Sequence, residues 1–257
     1  MVDCARPRFF VAAKPFFLLH FVAILLNLTL FLHPTSALWL SLDTWIFRAL
    51  NSSIVDHPLQ QIFWALGNIR TTDLFGSLLL ISAFVVYILE ATGEERRRRV
   101  AQLLYTIIWF EVSIFCCKQL ATPLFEGNGL ARHGPTVVLP DCFMISQVIP
   151  WTKVKDASYF CYPADHAAVV FQWCTFLWFF AGWKRGLFLF VASTLFILPR
   201  LISGGHWPSD LLVGSSSIVM VTMAWATCTA IYPLVLGRLS SFVNFIAARI
   251  WYGKENS

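Results

Sequence analysis

Arg200, His206 and Asp210 follow one another as Arg200-x5-His206-x3-Asp210 in the segment PRLISGGHWPSD, which ends a long apolar run. A second imidazole, His166, heads another apolar run in YPADHAAVV. Guanidinium groups hold phosphoryl oxygens in a planar fork, and imidazoles act as nucleophiles or proton carriers near neutral pH. Gathered at a bilayer surface, such groups point to phosphate-ester chemistry.

The elements that must position them are set by composition. The 257 residues are 58% hydrophobic and 13% charged, with a mean hydropathy of +0.67. A soluble domain of this size has an apolar share near ~45–50%, so the chain reads as an all-α, polytopic membrane protein. A span needs roughly 20 apolar residues to cross a hydrocarbon core of about 30 Å. Six blocks qualify: Pro15 to Leu32, Leu74 to Ala91, Val100 to Cys117, Ala167 to Trp183, Gly186 to Leu198 and Leu211 to Leu236. The fifth is short and spans only if Arg200 lies at the interface. Residues 1–257 read as one integral membrane domain, without a convincing cleavable signal peptide, internal repeat or low-complexity tract.

Basic residues of short loops accumulate on the cytoplasmic side. Arg6, Arg8 and Lys14 precede the first span, Arg96 to Arg99 join the second and third, Lys184 and Arg185 join the fourth and fifth, and Arg238 follows the sixth. All fall on one side, which predicts cytoplasmic termini and outer connections at Thr35 to Asp73 and Lys118 to Asp165. Between two spans the arginine run determines topology rather than binding nucleic acid. Ser36 to Asn68 scatters Trp39, Trp45, Phe47, Phe63 and Trp64 among polar residues, as amphipathic or re-entrant pieces in the headgroup zone do. Leu239 to Tyr252 has the period of an interfacial helix on the cytoplasmic side.

None of the seven cysteines has metal-ligand spacing. Cys142 and Cys161 share the second outer loop and are candidates for a disulfide in an oxidising compartment. Glu111 lies seven residues before Lys118, about two turns down the same face, where an ion pair with a buried cation is expected. On the predicted topology Lys118, His166, Arg200, His206 and Asp210 all come to the outer face. Charged groups are costly near the bilayer centre, of the order of 2–3 kcal/mol each, so they are kept for function or held at the interface.

The order Lys118, then Pro163-Ala164-Asp165-His166, then Arg200-x5-His206-x3-Asp210 resembles the type 2 phosphatidic acid phosphatase and vanadium haloperoxidase superfamily, in its membrane lipid phosphatase branch. Its signatures are K-x6-R-P, P-S-G-H and S-R-x5-H-x3-D. The third is matched with Pro199 in place of Ser. The second keeps Pro and His but carries Ala164 and Asp165 between them. The first departs most: Phe125-Glu126 stand where Arg-Pro is usual, and the next arginine is Arg132, in Arg132-His133-Gly134-Pro135.

The resemblance implies that His206 attacks phosphorus to give a phosphohistidine, with Asp210 accepting its other ring N–H. His166 protonates the leaving oxygen and deprotonates the attacking water, work typically worth ~10²–10⁴ in rate. Lys118, Arg200 and Arg132 hold the phosphoryl oxygens. These cations take the place a metal would have, so no metal or cofactor is required. Asp165 repels phosphate unless it turns away or pairs with a cation. The leading reading is hydrolysis of a lipid phosphate or diphosphate at the outer face of a plasma or bacterial inner membrane. The second is phosphoryl transfer from a lipid diphosphate such as undecaprenyl diphosphate to another lipid such as lipid A. A catalytically silent protein that binds anionic lipid is the third. The partners implied are the lipid substrate and the bilayer, with no nucleic acid and no obligate protein partner.

Overall fold

Backbone polar groups in a bilayer must find their hydrogen bonds within the chain, and helices supply them within each segment. The computed structural model describes residues 9–255; Arg6 and Arg8 lie outside them. The helices are α1 (Ala13–Phe31), α2 (Thr35–Ser52), α3 (Pro58–Gly67), α4 (Arg70–Leu89), α5 (Gly93–Phe115), α6 (Thr122–Gly127), α7 (Pro135–Val138), α8 (Ile145–Val148), α9 (Asp165–Ala181), α10 (Trp183–Ile202), α11 (Ser216–Cys228) and α12 (Ile231–Glu255). Single π-helical stretches continue α5 through Cys116–Ala121 and precede α11 at Asp210–Ser215. Among the described residues the only extended pairing is an isolated antiparallel bridge between Phe10 and Thr229. The protein is a helical membrane bundle.

Among the described residues six stretches are long and apolar enough to cross a membrane: Ala13–Phe31, Arg70–Leu89, Gly93–Gly127, Trp183–Ile202, Asp210–Cys228 and Ile231–Arg249. At 17 residues α9 is shorter, about 26 Å at the helical rise. It is nonetheless the centre of the bundle, packed on α4, α5, α10 and α11. Its Trp173 meets Phe84 of α4 edge to face at 5.3 Å, and its Phe176 meets Tyr105 of α5 at 6.0 Å. One residue, Gly182 at φ 94°, joins α9 to α10. A side chain at that φ is strained, and glycine makes the tight reversal possible.

The block Leu211 to Leu236 is not a single span. It divides between Cys228 and Ile231, where the backbone of residues 228–230 turns to bond Phe9, Val11 and Ala12. Apolar character runs through the break, so hydropathy does not reveal it. Arg238 and the expected interfacial segment Leu239 to Tyr252 therefore belong to one continuous helix, α12. Its first turns pack Ile231, Tyr232, Val235 and Leu236 on the core, and farther along Phe242 and Phe245 are exposed. The fifth span is longer than its apolar block, because α10 continues to Ile202 and carries Arg200 in its last turn.

The two ends of the bundle differ. At one end Arg185 pairs with Glu90 at 2.6 Å, and Arg99 bonds Glu95 at 2.9 Å and the Tyr87 carbonyl. The other end gathers the C-termini of α5 and α10 with the N-termini of α4 and α9, and α2, α3 and the 128–164 segment cover it. Helix α2 buries Asp43, Phe47 and Asn51 at four-residue spacing and exposes Leu38 and Trp45, each 70% accessible. Its polar stripe faces the protein and its apolar face turns outward, the amphipathic element expected in the headgroup zone.

Candidate active site

Helix ends bring the polar groups together. Asp165 opens α9, where a carboxylate also complements the helix dipole. Its Oδ1 accepts the His166 Nδ1–H at 2.7 Å, and its Oδ2 lies 3.2 Å from Lys118 Nζ. The repulsion expected of Asp165 toward phosphate is thus offset by a cation. The π stretch that carries Lys118 widens one turn of α5 and re-aims its side chain, a frequent use of such bulges at functional sites. Burial pushes the Asp165 carboxyl up, but the His166 hydrogen bond and the charges of His166 and Lys118 outweigh it and hold the group ionised.

His166 precedes the apolar part of α9 and has carboxylates at both ring nitrogens. Besides Asp165, Asp73 Oδ2 of α4 lies 3.6 Å from Nε2. The hydrogen bonds to Asp165 and Asp73 raise its pKa to about 9, against burial and the nearby Arg200 charge. Arg200 is 6% exposed. Its Nη1 donates to Asn68 Oδ1 at 2.5 Å, its Nη2 donates to Asp73 at 3.0 and 3.2 Å, and Nη2 is 3.5 Å from His166 Nε2. The Arg200 Nε–H is buried and has no partner among the described residues. Buried donors are satisfied in the great majority of proteins, and an anionic oxygen would satisfy this one.

Gly204 and Gly205 turn the chain after α10, with Gly204 at φ 84°, and deliver His206 beneath the 128–164 segment. His206 is 4% exposed. Its Nδ1–H donates to the Cys161 carbonyl at 2.8 Å, whereas Asp210 Oδ2 is 3.8 Å away. Asp210 instead accepts the Trp207 N–H at 2.8 Å and an Arg132 Nη1–H at 2.6 Å. A main-chain carbonyl therefore does what the spacing assigned to Asp210. The result for the ring is the same: Nδ1 carries the proton and Nε2 has its lone pair free.

Arg132 is brought to the site but is fully engaged. Besides Asp210 it donates to Ser209 Oγ at 2.9 Å and to Asp43 Oδ2 at 3.0 Å, and Asp43 also accepts hydrogen bonds from the Ser209 N–H and hydroxyl. Its main chain pairs with Cys161, whose N–H and thiol both donate to the Arg132 carbonyl. Arg132 thus ties together the two segments that orient His206. Cys161 and Cys142 are free thiols and not a disulfide; burial pushes the Cys161 thiol far above its ordinary range. Glu111 is exposed on α5 and forms no ion pair among the described residues. The π stretch between it and Lys118 breaks the common face that a regular helix would give.

Asp43, Asn68, Asp73 and the Cys161 carbonyl were not singled out from the sequence. Asp73 had a usable signal, a carboxylate at the outer end of a span, as Lys118 and Arg200 are cations there. Asp43 had a weaker one, a lone carboxylate in the aromatic segment 36–55. Nothing in the sequence marks a carbonyl. Beside His166 and Lys118 a cavity of about 230 Å³ runs down between α4, α5, α9 and α10, past Gly76, Leu80, Phe110, Ile114 and Phe196. Its polar end is the ionic cluster and its walls are apolar.

No solved structure matches the chain. It is 27% identical over 212 residues to the lipid A 1-diphosphate synthase of Escherichia coli (strain K12), covering 82% of this chain and 86% of that protein. Residues 117–236, which contain Lys118, His166, Arg200 and His206, match the PAP2 superfamily, and both likenesses support an enzyme acting on phosphate esters.

Proposed function

We propose that this protein moves the terminal phosphoryl group of a membrane lipid diphosphate, through a phosphohistidine at His206, to the phosphate of a second lipid, with water as the slower acceptor. The observation that carries the phosphohistidine is the Nδ1–H bond from His206 to the Cys161 carbonyl, which leaves Nε2 as a free nucleophile. His206 Nε2 attacks phosphorus, and the bridging P–O bond breaks with its electron pair on the departing lipid phosphate. His166 stabilises that oxygen. An oxygen of the acceptor then attacks, and the P–N electron pair returns to His206. Arg200, with its unpartnered Nε–H, and Lys118 hold the phosphoryl oxygens, displacing Asp73 and Asp165 in part. Arg132 acts on His206 and Asp210 by position.

The name of the relative, lipid A 1-diphosphate synthase, supports a lipid A phosphate as the acceptor. A lipid A phosphate is therefore the first acceptor to try and undecaprenyl diphosphate the first donor. Simple hydrolysis of lipid phosphates is the second reading, favoured by the exposure of Lys118 to solvent, its side chain being 56% accessible. The basic first turns of α5, at Arg96 to Arg99, and of α10, at Lys184-Arg185, lie at the end opposite His206, which supports a site on the non-cytoplasmic face. The apolar cleft beside His166 gives the lipid tail a lateral path.

The test is direct. Purified protein in detergent, without added metal, is given undecaprenyl diphosphate labelled in its terminal phosphate, with and without lipid A. Label passes to lipid A, and His206→Ala abolishes both transfer and phosphate release. Activity retained by H206A removes the phosphohistidine; release of phosphate with no labelled lipid A leaves the hydrolase reading.

A further inference from the structure

We propose that Asp73 directs the phosphohistidine toward a phosphate-bearing lipid and away from water, by keeping His166 charged. This rests on the phosphohistidine of the preceding section. The observation is geometric: His166 has a carboxylate at each ring nitrogen, Asp165 at 2.7 Å from Nδ1 and Asp73 at 3.6 Å from Nε2. An Asp165 contact alone would fix the ring. Asp73 reaches the site from another helix, α4, and its carboxylate faces the nitrogen that exchanges protons with substrate.

The two acceptors differ in what they require. Water must lose a proton as it attacks phosphorus, and only a neutral His166 can take it. A lipid phosphate already has an anionic oxygen, because its second ionisation lies near about 6. It attacks with no base, and a charged His166 draws it in. The donor matters for the same reason. When a lipid monophosphate is cleaved, the departing alkoxide takes the His166 proton and leaves a base ready for water. When a lipid diphosphate is cleaved, the departing group is itself a phosphate, far less basic than an imidazole whose protonated form is held by two carboxylates. The proton remains on His166, and water is not activated. Diphosphate donors thus lead to transfer, and monophosphate donors lead to hydrolysis.

All charged groups around the ring enter this balance. Asp165 on α9 and Asp73 on α4 favour the imidazolium; Arg200 on α10 opposes it. Lys118, at the end of α5, and His206 act on Asp165. Asp73 also neutralises Arg200 through bonds at 3.0 and 3.2 Å, so its removal both frees that cation and strips the carboxylate from Nε2. Each change makes the charged ring less favourable. Asp73 touches His166 and Arg200, and is a positioning residue.

The experiment measures the ratio of labelled phosphate to labelled lipid A, from terminally labelled undecaprenyl diphosphate at fixed lipid A, between pH 6 and 10. The ratio depends only on how the phosphohistidine is consumed. For the unaltered protein it climbs with pH, with the midpoint of the climb near pH 9. In Asp73→Asn the midpoint of the climb moves to lower pH, and the ratio at pH 7 rises about tenfold for each unit of that displacement. Asp73→Glu keeps the original profile. Acceptor ionisation is common to all three proteins and cancels. An active D73N with an unchanged midpoint and ratio overturns the proposal. If D73N is inactive, NMR titration of His166 in the folded variant decides: an unchanged midpoint overturns it, and a lowered one supports it. H206A controls the underlying reading separately, since activity surviving there condemns the phosphohistidine whatever Asp73 does.

Discussion

At the scale of residues, each cation around the two imidazoles is matched by at least one carboxylate. Lys118 faces Asp165, Arg200 faces Asp73, and Arg132 faces Asp43 and Asp210. The first two pairs are partly open, with Lys118 and Asp73 accessible. The third is closed, since Asp43 and Asp210 are fully buried. Breaking a buried pair leaves an uncompensated charge and costs about 3–5 kcal/mol. Asp43→Ala should accordingly lower the thermal unfolding midpoint in detergent and reduce phosphoryl transfer at least tenfold, while Asp43→Asn, which keeps an acceptor for Ser209, should do less of both. A normal midpoint in D43A would show that the Arg132 cluster does not hold the His206 segment.

At the scale of elements, α9 and the turn after α10 carry the arrangement. The sequence reads well where a helix end is also a change from polar to apolar, as at Asp165-His166 and at Arg200. It reads poorly where helices meet end to end. Residues 228–231 break a run of uninterrupted apolar character, so the division of α11 from α12 depends on packing against Phe9 to Ala12, far away in sequence. The turn at Gly204 is different, because a glycine pair before His206 is visible in the sequence while its reason is not. That reason is a φ of 84° together with the Phe47 ring and Thr136, which crowd the place where a Cβ would stand. Left-handed strain costs of order 1–3 kcal/mol for a residue other than glycine. Gly204→Val should destabilise the protein by about 2 kcal/mol and displace His206, seen as a lower unfolding midpoint and loss of transfer.

At the scale of the whole molecule, two distinct environments meet at His166: an ionic cluster above and an apolar cleft below, between α4, α5, α9 and α10. Burying a methylene is worth about 0.8 kcal/mol, so a long tail in the cleft contributes substantially to binding. A side chain at Gly76 would press on the Phe196 ring, 3.1 Å from the nearest Cβ position, and narrow that cleft. Gly76→Leu should therefore raise KM for an undecaprenyl donor by at least tenfold, while leaving turnover of a short-chain water-soluble diphosphate within about twofold. Equal effects on both donors would show that the tail binds elsewhere.

The sequence by itself determined the membrane character, the helical class and the resemblance to the PAP2 superfamily, because these rest on local properties: apolar length, basic clusters and a fixed spacing of Arg200, His206 and Asp210. It also brought Lys118, His166 and Arg200 to one end of the bundle, since each stands at the end of an apolar run. Tertiary structure alone decided which partner each group meets. Asp73 and Asp43 reach the site from helices far back in the chain, Asp43 lying 89 residues before Arg132, and a carbonyl of Cys161 holds His206 in place of Asp210. Such contacts follow from how helices pack. No local pattern in the chain encodes the distance between two elements that only folding brings together.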